Sequence, residues 1–211
     1  MQFDLESGRW INRTDGSGVS GNRVEIVTAP KTDLWQRSYY GFRNNNAPAL
    51  LFDGGDNYSF TARASFEYVG LYDQCGIIVY LDDQNWFKAS VEYETDRFSR
   101  LGSVVTNRGY SDWATTDIDT PNVMWYRLSR RGPDFYIESS TDGENFRQMR
   151  IFHLHALGET TAEMGRMEPP APATAPAPVG VYACSPVDSR FTASFSDISY
   201  QNCLWKAHGE S

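Results

Sequence analysis

Glu92, Glu94 and Asp96 stand at every second position in "WFKASVEYETD", Trp86 to Asp96. Paired carboxyl groups are the equipment of glycoside hydrolysis, whose retaining form needs them roughly 5 Å apart. Residues two apart on a strand are separated by roughly 6.6 Å and four apart by roughly 13 Å. Glu92 and Glu94 can therefore converge, whereas Glu92 and Asp96 need a bulge or strong leaning. The same stretch alternates strictly. Phe87, Ala89, Val91 and Tyr93 form one apolar face, and Trp86, Lys88, Ser90, Glu92 and Glu94 form the other. A Trp beside Lys, Ser and Glu suits a sugar, because the ring stacks on an apolar sugar face while polar groups fix the hydroxyls. The same row also reads as the solvated side of a sheet carrying a Lys–Glu pair.

Other groups are candidates to join this face. "YDQCG" puts Asp73 and Gln74 at a strand entrance, where capping a turn is the plainer role. "TDLWQRSYY" puts Trp35, Arg37 and Tyr39 on one side of an expected strand. Arg37 there can hold a carboxylate or phosphate through two bonds, or pair with Glu92 or Asp73. "YSDWA" puts Asp112 and Trp113 in an expected loop, as a lid or a plug. The expected ligand-binding set is Trp35, Arg37, Asp73, Gln74, Trp86, Lys88, Glu92, Asp112 and Trp113, with Glu92 and Glu94 as the carboxylates of an enzyme reading. His153 and His155 in "FHLH" share a strand face, but no Cys or acidic partner stands in register, so no metal is expected. "LDDQN" reads as an acidic turn rather than a calcium loop. No Gly-rich phosphate loop and no Ser-His-Asp signature is present, so no cofactor is expected.

The elements that position these residues are strands. "NYSFTARASFEY" places Tyr58, Phe60, Ala62, Ala64, Phe66 and Tyr68 on one side, with polar residues between them. "GIIVYL" reads as a central strand, and "DDQN" turns into the stretch quoted first. "VEIVT", "WQRSYYGF", "SVVT", "MWYRLSR", "DFYIESS", "RQMRIFHL", "VGVYACS" and "RFTASFSDISY" read as further strands. Roughly ten to thirteen short strands and no long amphipathic helix predict an all-β sandwich. Residues 1–211 read as one domain. It carries a Pro/Ala-rich insertion loop at about 158–180, "GETTAEMGRMEPPAPATAPAPVG", where proline lacks the ladder's donor. That loop is expected to be extended or mobile, with docking of a partner as the sharper alternative.

Composition excludes several classes. The formal net charge of −8 and the single basic cluster, "SRRG" at Ser129 to Gly132, argue against nucleic acid and anionic membranes. The expected partners therefore exclude both. No stretch is long and apolar enough to span a bilayer, and the start lacks the pattern of a secretory signal. Cys75, Cys184 and Cys203 lack metal-site spacing and do not form a disulfide framework, so reduced thiols and a cytoplasmic location are expected. The acceptor patterns at Asn12 and Asn57 are then read as chance.

Several phrases in fixed order, "TDLWQRSYYGF", "YDQCGIIVYLDDQNWFKASVEY", "SVVTNRGYSDWA", "VGVYACSP" and "FTASFSD", resemble one family. It is the family of domains of unknown function typified by the yeast regulation-of-enolase protein. The resemblance runs from Trp10 to Tyr200, and the Pro/Ala insertion departs from the family pattern. It implies a concanavalin A-like jelly-roll β-sandwich of two antiparallel sheets, in which the concave outer face of one sheet is the expected sugar groove. It also implies a link to enolase and sugar metabolism. "EYETD" is similar to the alternating carboxylates of this fold's glucanases, but its order of Glu and Asp differs. The leading expectation is a non-catalytic binding or regulatory protein for a carbohydrate or small metabolite, with enolase as a candidate partner. A glycoside-active enzyme is the main rival. The third reading is a protein-interaction module without a small ligand, acting through this face or Pro169 to Pro178.

Overall fold

Alternation along the chain resolves into two antiparallel sheets packed face to face. A computed structural model describes residues 4–207. The ends of the expected 1–211 domain, and the first residues of the expected non-signal start, lie outside them. The strands in chain order are β1 (Arg9–Ile11), β2 (Gly18–Ser20), β3 (Arg23–Val27), β4 (Leu34–Gln36), β5 (Arg43–Asn45), β6 (Ala49–Phe52), β7 (Tyr58–Phe66) and β8 (Gln74–Asp82). They continue as β9 (Asn85–Tyr93), β10 (Phe98–Asn107), β11 (Tyr110–Asp119), β12 (Val123–Arg131), β13 (Asp134–Ser140), β14 (Arg147–His153), β15 (Val179–Cys184) and β16 (Thr192–Asn202). One seven-stranded sheet runs β1-β6-β15-β8-β9-β10-β11, and the other runs β14-β13-β12-β7-β16-β3-β2. A small β4–β5 hairpin forms a separate two-stranded ribbon. This is the jelly-roll sandwich that the alternation and the resemblance predict. Helix is confined to three single 3₁₀ turns among the described residues, none able to cross a membrane.

The core lies between the sheets. Tyr58, Phe60, Ala62, Ala64 and Phe66 of β7 meet Ile77 and Val79 of β8 and Phe87, Ala89 and Val91 of β9. Each large apolar side chain removed from water there contributes about 1.5–3 kcal/mol. The continuous apolar run of β8 has a specific cause. Ile77 and Val79 enter this core, while Ile78 faces outward into a second, smaller apolar cluster with Leu34, Trp35, Trp86, Val104 and Tyr182. The β4–β5 hairpin supplies Leu34 and Trp35 to that cluster, so this part of the strand is covered on both sides.

Two expectations change. The strand expected through "WQRSYYGF" stops at Gln36. Arg37, Tyr39 and Gly41 take φ of 56°, 61° and 78°, a turn conformation that breaks the alternation. "YSDWA" is not a loop but the start of β11, paired over its length with β10. The segment expected to be extended or mobile carries no strand between β14 and β15, yet it is held at several points. Arg130, fully buried, donates to the carbonyls of Gly54, Gly55 and Ala175. Tyr58 donates to the carbonyl of Ala177 at 3.0 Å, and Asn57 to that of Ala171 at 2.7 Å. The "SRRG" cations thus serve as internal donors, with Arg131 paired to Glu168.

Candidate functional site

The pleat of β9 sends Lys88, Ser90 and Glu92 to the outer face of its sheet, opposite Phe87, Ala89 and Val91 in the core. The β9–β10 hairpin is symmetric about its turn, so Arg100 stands across from Glu92, Gly102 from Ser90 and Val104 from Lys88. On the other side Gln74 of β8 stands across from Glu92. In β11, Trp113 pairs with Val104 and shares its face. A cleft of about 310 Å³ opens over this patch, between the β4–β5 hairpin with Asp33, Trp35, Tyr40 and Phe42 and the side chains of Tyr72, Trp113 and Pro186.

The floor is a set of paired groups. Lys88 Nζ lies 2.9 Å from Asp33 Oδ1, and its side chain is only 5% exposed. Burial acts to lower the lysine pKa, but the Asp33 carboxylate and the neighbouring Cys184 and Glu92 outweigh it, and the ammonium is held above its ordinary value. Gln74 donates to Glu92 Oε2 at 2.8 Å and accepts from Ser90 and Tyr182 at 3.3 and 3.1 Å. Desolvation raises the Glu92 pKa from 4.5 to about 7. Lys88 pulls it back in part, and Asp33 and Glu94 add to the rise. Arg100 Nε lies 2.8 Å from Glu94, with its guanidinium over the Trp113 ring at 5.6 Å. Gly102 permits that placement. A Cβ there would meet Trp113 Nε1 at 3.0 Å.

The aromatic wall is one connected group. Tyr40 and Phe42 stack with centroids 5.0 Å apart, and Tyr40 meets Trp35 edge-on at 5.4 Å. Trp35 donates to the Ser38 carbonyl at 3.0 Å, which closes the turn beneath it. The hairpin is latched to the sheet at its far end. The Gln36 amide donates to Ser111 Oγ at 2.9 Å, and Arg37 donates to the Gly109 carbonyl at 2.8 Å.

Of the residues singled out from sequence, Trp35, Gln74, Lys88, Glu92, Glu94 and Trp113 meet in this cleft. Four others do not line it. Trp86 is on the same face but is fully buried, because the hairpin lies over it. Asp73 is fully buried too. Its carboxylate accepts from the amides of Val69 and Gly70 and the hydroxyl of Ser189, which is the turn-capping role. Arg37 pairs with neither Glu92 nor Asp73 and instead lies over Tyr110 at 5.3 Å. Asp112 precedes Trp113 on a strand, so the pleat turns it to the other side, where it pairs with Arg150. Asp96 lies in the turn between β9 and β10. His153 ends β14 and bonds Asp134, while His155 begins a 3₁₀ turn, so the two do not share a strand face.

Asp33, Tyr40, Phe42, Tyr72 and Arg100 were missed. Arg100 was accessible to reasoning, since centring the hairpin turn on Asp96 puts it opposite Glu92. Asp33, Tyr40 and Phe42 carry no such signal, because a long-range contact delivers them.

A family model described as a protein of unknown function (DUF1349) matches residues 10–203. The Saccharomyces cerevisiae (strain ATCC 204508 / S288c) protein named Regulation of enolase protein 1 is 29% identical over 205 residues, 97% of this chain and 94% of that protein. The crystal structure of a functionally unknown protein from Saccharomyces cerevisiae superposes with a TM-score of 0.81 at 27% identity, over 96% of this chain and 100% of that one. The GH43 BlXynB protein from Bacillus licheniformis superposes with a TM-score of 0.59 at 16% identity, over 85% of this chain but 32% of its own length. That last likeness is one of fold alone.

Proposed function

The chain belongs to the DUF1349 family of proteins of unknown function, and from that premise we propose that it is a non-catalytic binding protein. Its cleft takes a carbohydrate or small metabolite. One observation carries this reading: a polar floor of Lys88, Ser90 and Glu92 faces an aromatic wall of Trp35, Tyr40 and Phe42 across about 310 Å³. Such a pairing of flat apolar surface with a few placed polar groups is what ligand sites are made of. Trp35, Gln74, Lys88, Glu92 and Trp113 are its proposed contacts, with Asp33 and Arg100 beside them. The name of the 29% identical yeast relative makes enolase a candidate partner. Three free cysteines support a cytoplasmic location. A core shared by both sheets supports one domain over 1–211.

A thermal-shift screen against sugars and sugar derivatives tests the reading. A ligand at a hundred times its dissociation constant stabilises the fold by about 2.7 kcal/mol, or about 5–10 °C for a chain of this size. The shift should vanish with Trp113→Ala. A flat screen across all classes would move the function to a protein partner.

A second reading draws on Glu92. A half-buried carboxyl with a pKa near 7 is partly protonated at neutral pH, as a general acid requires. Glu94 is the neighbouring carboxylate, but Arg100 already pairs with it. Glu92→Gln separates the two readings. It abolishes turnover in an enzyme and leaves binding measurable in either case.

A further inference from the structure

We infer that the cleft selects an uncharged ring bearing hydroxyl groups, a neutral sugar, and discriminates against the phosphorylated or carboxylated forms of the same ring. The inference rests on the reading of the cleft as a ligand site and specifies the ligand's charge.

Charge on the floor is already spent internally. Lys88 is paired with Asp33 at 2.9 Å and Arg100 with Glu94 at 2.8 Å. Glu92 is the third carboxyl group, so the carboxyl groups outnumber the cations. With Glu92 protonated the floor is neutral, and with Glu92 ionised it is negative. In neither state does it offer surplus positive charge to an anion. Arg100 is the floor cation with substantial exposure, 36% of its side chain, and its charge is already offset by Glu94 2.8 Å from its Nε. A phosphate seated deeper would meet Lys88 but also the three carboxyl groups of Asp33, Glu92 and Glu94, in a site that water screens poorly.

The unspent hydrogen-bonding capacity has mixed sign, which suits hydroxyl groups. Lys88 has three N–H donors and uses one on Asp33. Ser90 donates to Gln74 and keeps its lone pairs. Glu92 receives Gln74 on Oε2, and Oε1 takes no protein donor among the described residues. A sugar hydroxyl both donates and accepts, so adjacent hydroxyls can satisfy Lys88 and Glu92 together. A phosphate or carboxylate accepts only, and leaves an ionised Glu92 facing another acceptor. The Tyr40–Phe42 stack gives the ring's apolar side a partner.

The experiment uses the unmodified protein and matched pairs: glucose, galactose, mannose and xylose, each against its monophosphate, with inorganic phosphate as a further probe. Binding is read by saturation-transfer NMR and titration calorimetry at pH 8, where Glu92 is ionised. The expected result is that at least one neutral sugar binds and its phosphate binds about tenfold more weakly or worse. Glu92→Gln/Glu94→Gln, checked for folding by its melting curve, then narrows that ratio by about tenfold, because two carboxylates are gone. A phosphate that binds as tightly as its parent sugar overturns the inference and leaves the ligand-site reading standing. Phosphate discrimination that the double variant leaves unchanged overturns the charge argument. Silence from every sugar and phosphate overturns both the inference and the carbohydrate part of the reading beneath it.

Discussion

Two ends of one sheet face behave differently although a single strand runs through both. On the outer side of β9, Trp86 lies under the β4–β5 hairpin against Ile78, Val104 and Tyr182, dry and fully buried. Four and six residues on, Ser90 and Glu92 open into the cleft. Lys88 stands at the border, with its ammonium tied to Asp33 just before the hairpin. The pleat assigns all four to one face and says nothing about cover. Whether a residue is core, border or floor depends on where the hairpin ends. The difference teaches that a patterned strand face becomes a site only when another segment roofs part of it and leaves the rest open.

The largest effect should come from testing the two tryptophans. Trp86→Ala empties a packed position and should cost about 3–5 kcal/mol, lowering the melting temperature by about 10 °C. Trp86→Phe should cost far less, because the indole Nε1 has no hydrogen-bond acceptor among the described residues. Trp113→Ala, at the open end, should stay within about 0.5 kcal/mol in stability while weakening ligand binding. Equal destabilisation by Trp86→Ala and Trp113→Ala would erase the comparison.

The two ion pairs come next. Lys88→Met strands a poorly exposed Asp33 charge and should cost about 3 kcal/mol, most of it recovered by adding Asp33→Asn. Glu94→Gln, at the cleft mouth, leaves the 36% exposed Arg100 side chain to water and should cost under about 1 kcal/mol. Urea melts of the three variants measure the contrast.

Glu92 sharpens the comparison through pH. Its folded pKa of about 7 lies above the ordinary 4.5, so the native state keeps a proton that the unfolded chain releases. Stability associated with this group is therefore full below about pH 4.5 and declines as pH rises to about 7. Glu92→Gln removes that decline. The variant should match the parent near pH 4.5 and exceed it above pH 7 by up to about 3 kcal/mol, less whatever the open cleft screens. Urea melts at pH 4.5 and 8 check it, and a parent no less stable relative to the variant at pH 8 would refute the desolvated carboxyl.

Of the destabilising changes beneath the roof, the latch should give the smallest. Ser111→Ala leaves the Gln36 amide without its buried acceptor and should cost about 1–2 kcal/mol. Hydrogen exchange should rise at residues 34–36 and stay unchanged at Phe87, Ala89 and Val91. Loss of protection across β9 as well would mean that roof and floor are one cooperative unit.

The amino-acid sequence by itself determined the sandwich and the row on β9, because a period of two is local. Each side chain's face follows from its neighbours, whatever the rest of the chain does. The apolar run of β8 and the turn at Asp73 were legible for the same reason. What failed was anything that depended on contacts far along the chain. Arg37 left its expected face because residues 37–41 turn. Trp113 and Asp112 parted because β11 is a strand, held there by β10. Trp86 became core and Asp33 became the partner of Lys88 because a hairpin some fifty residues away folds over the sheet, bringing Asp33 to Lys88 across 55 positions. Only the tertiary structure decides such things, since covering a face is favourable through the apolar area it removes from water, and that area exists only once both surfaces are assembled.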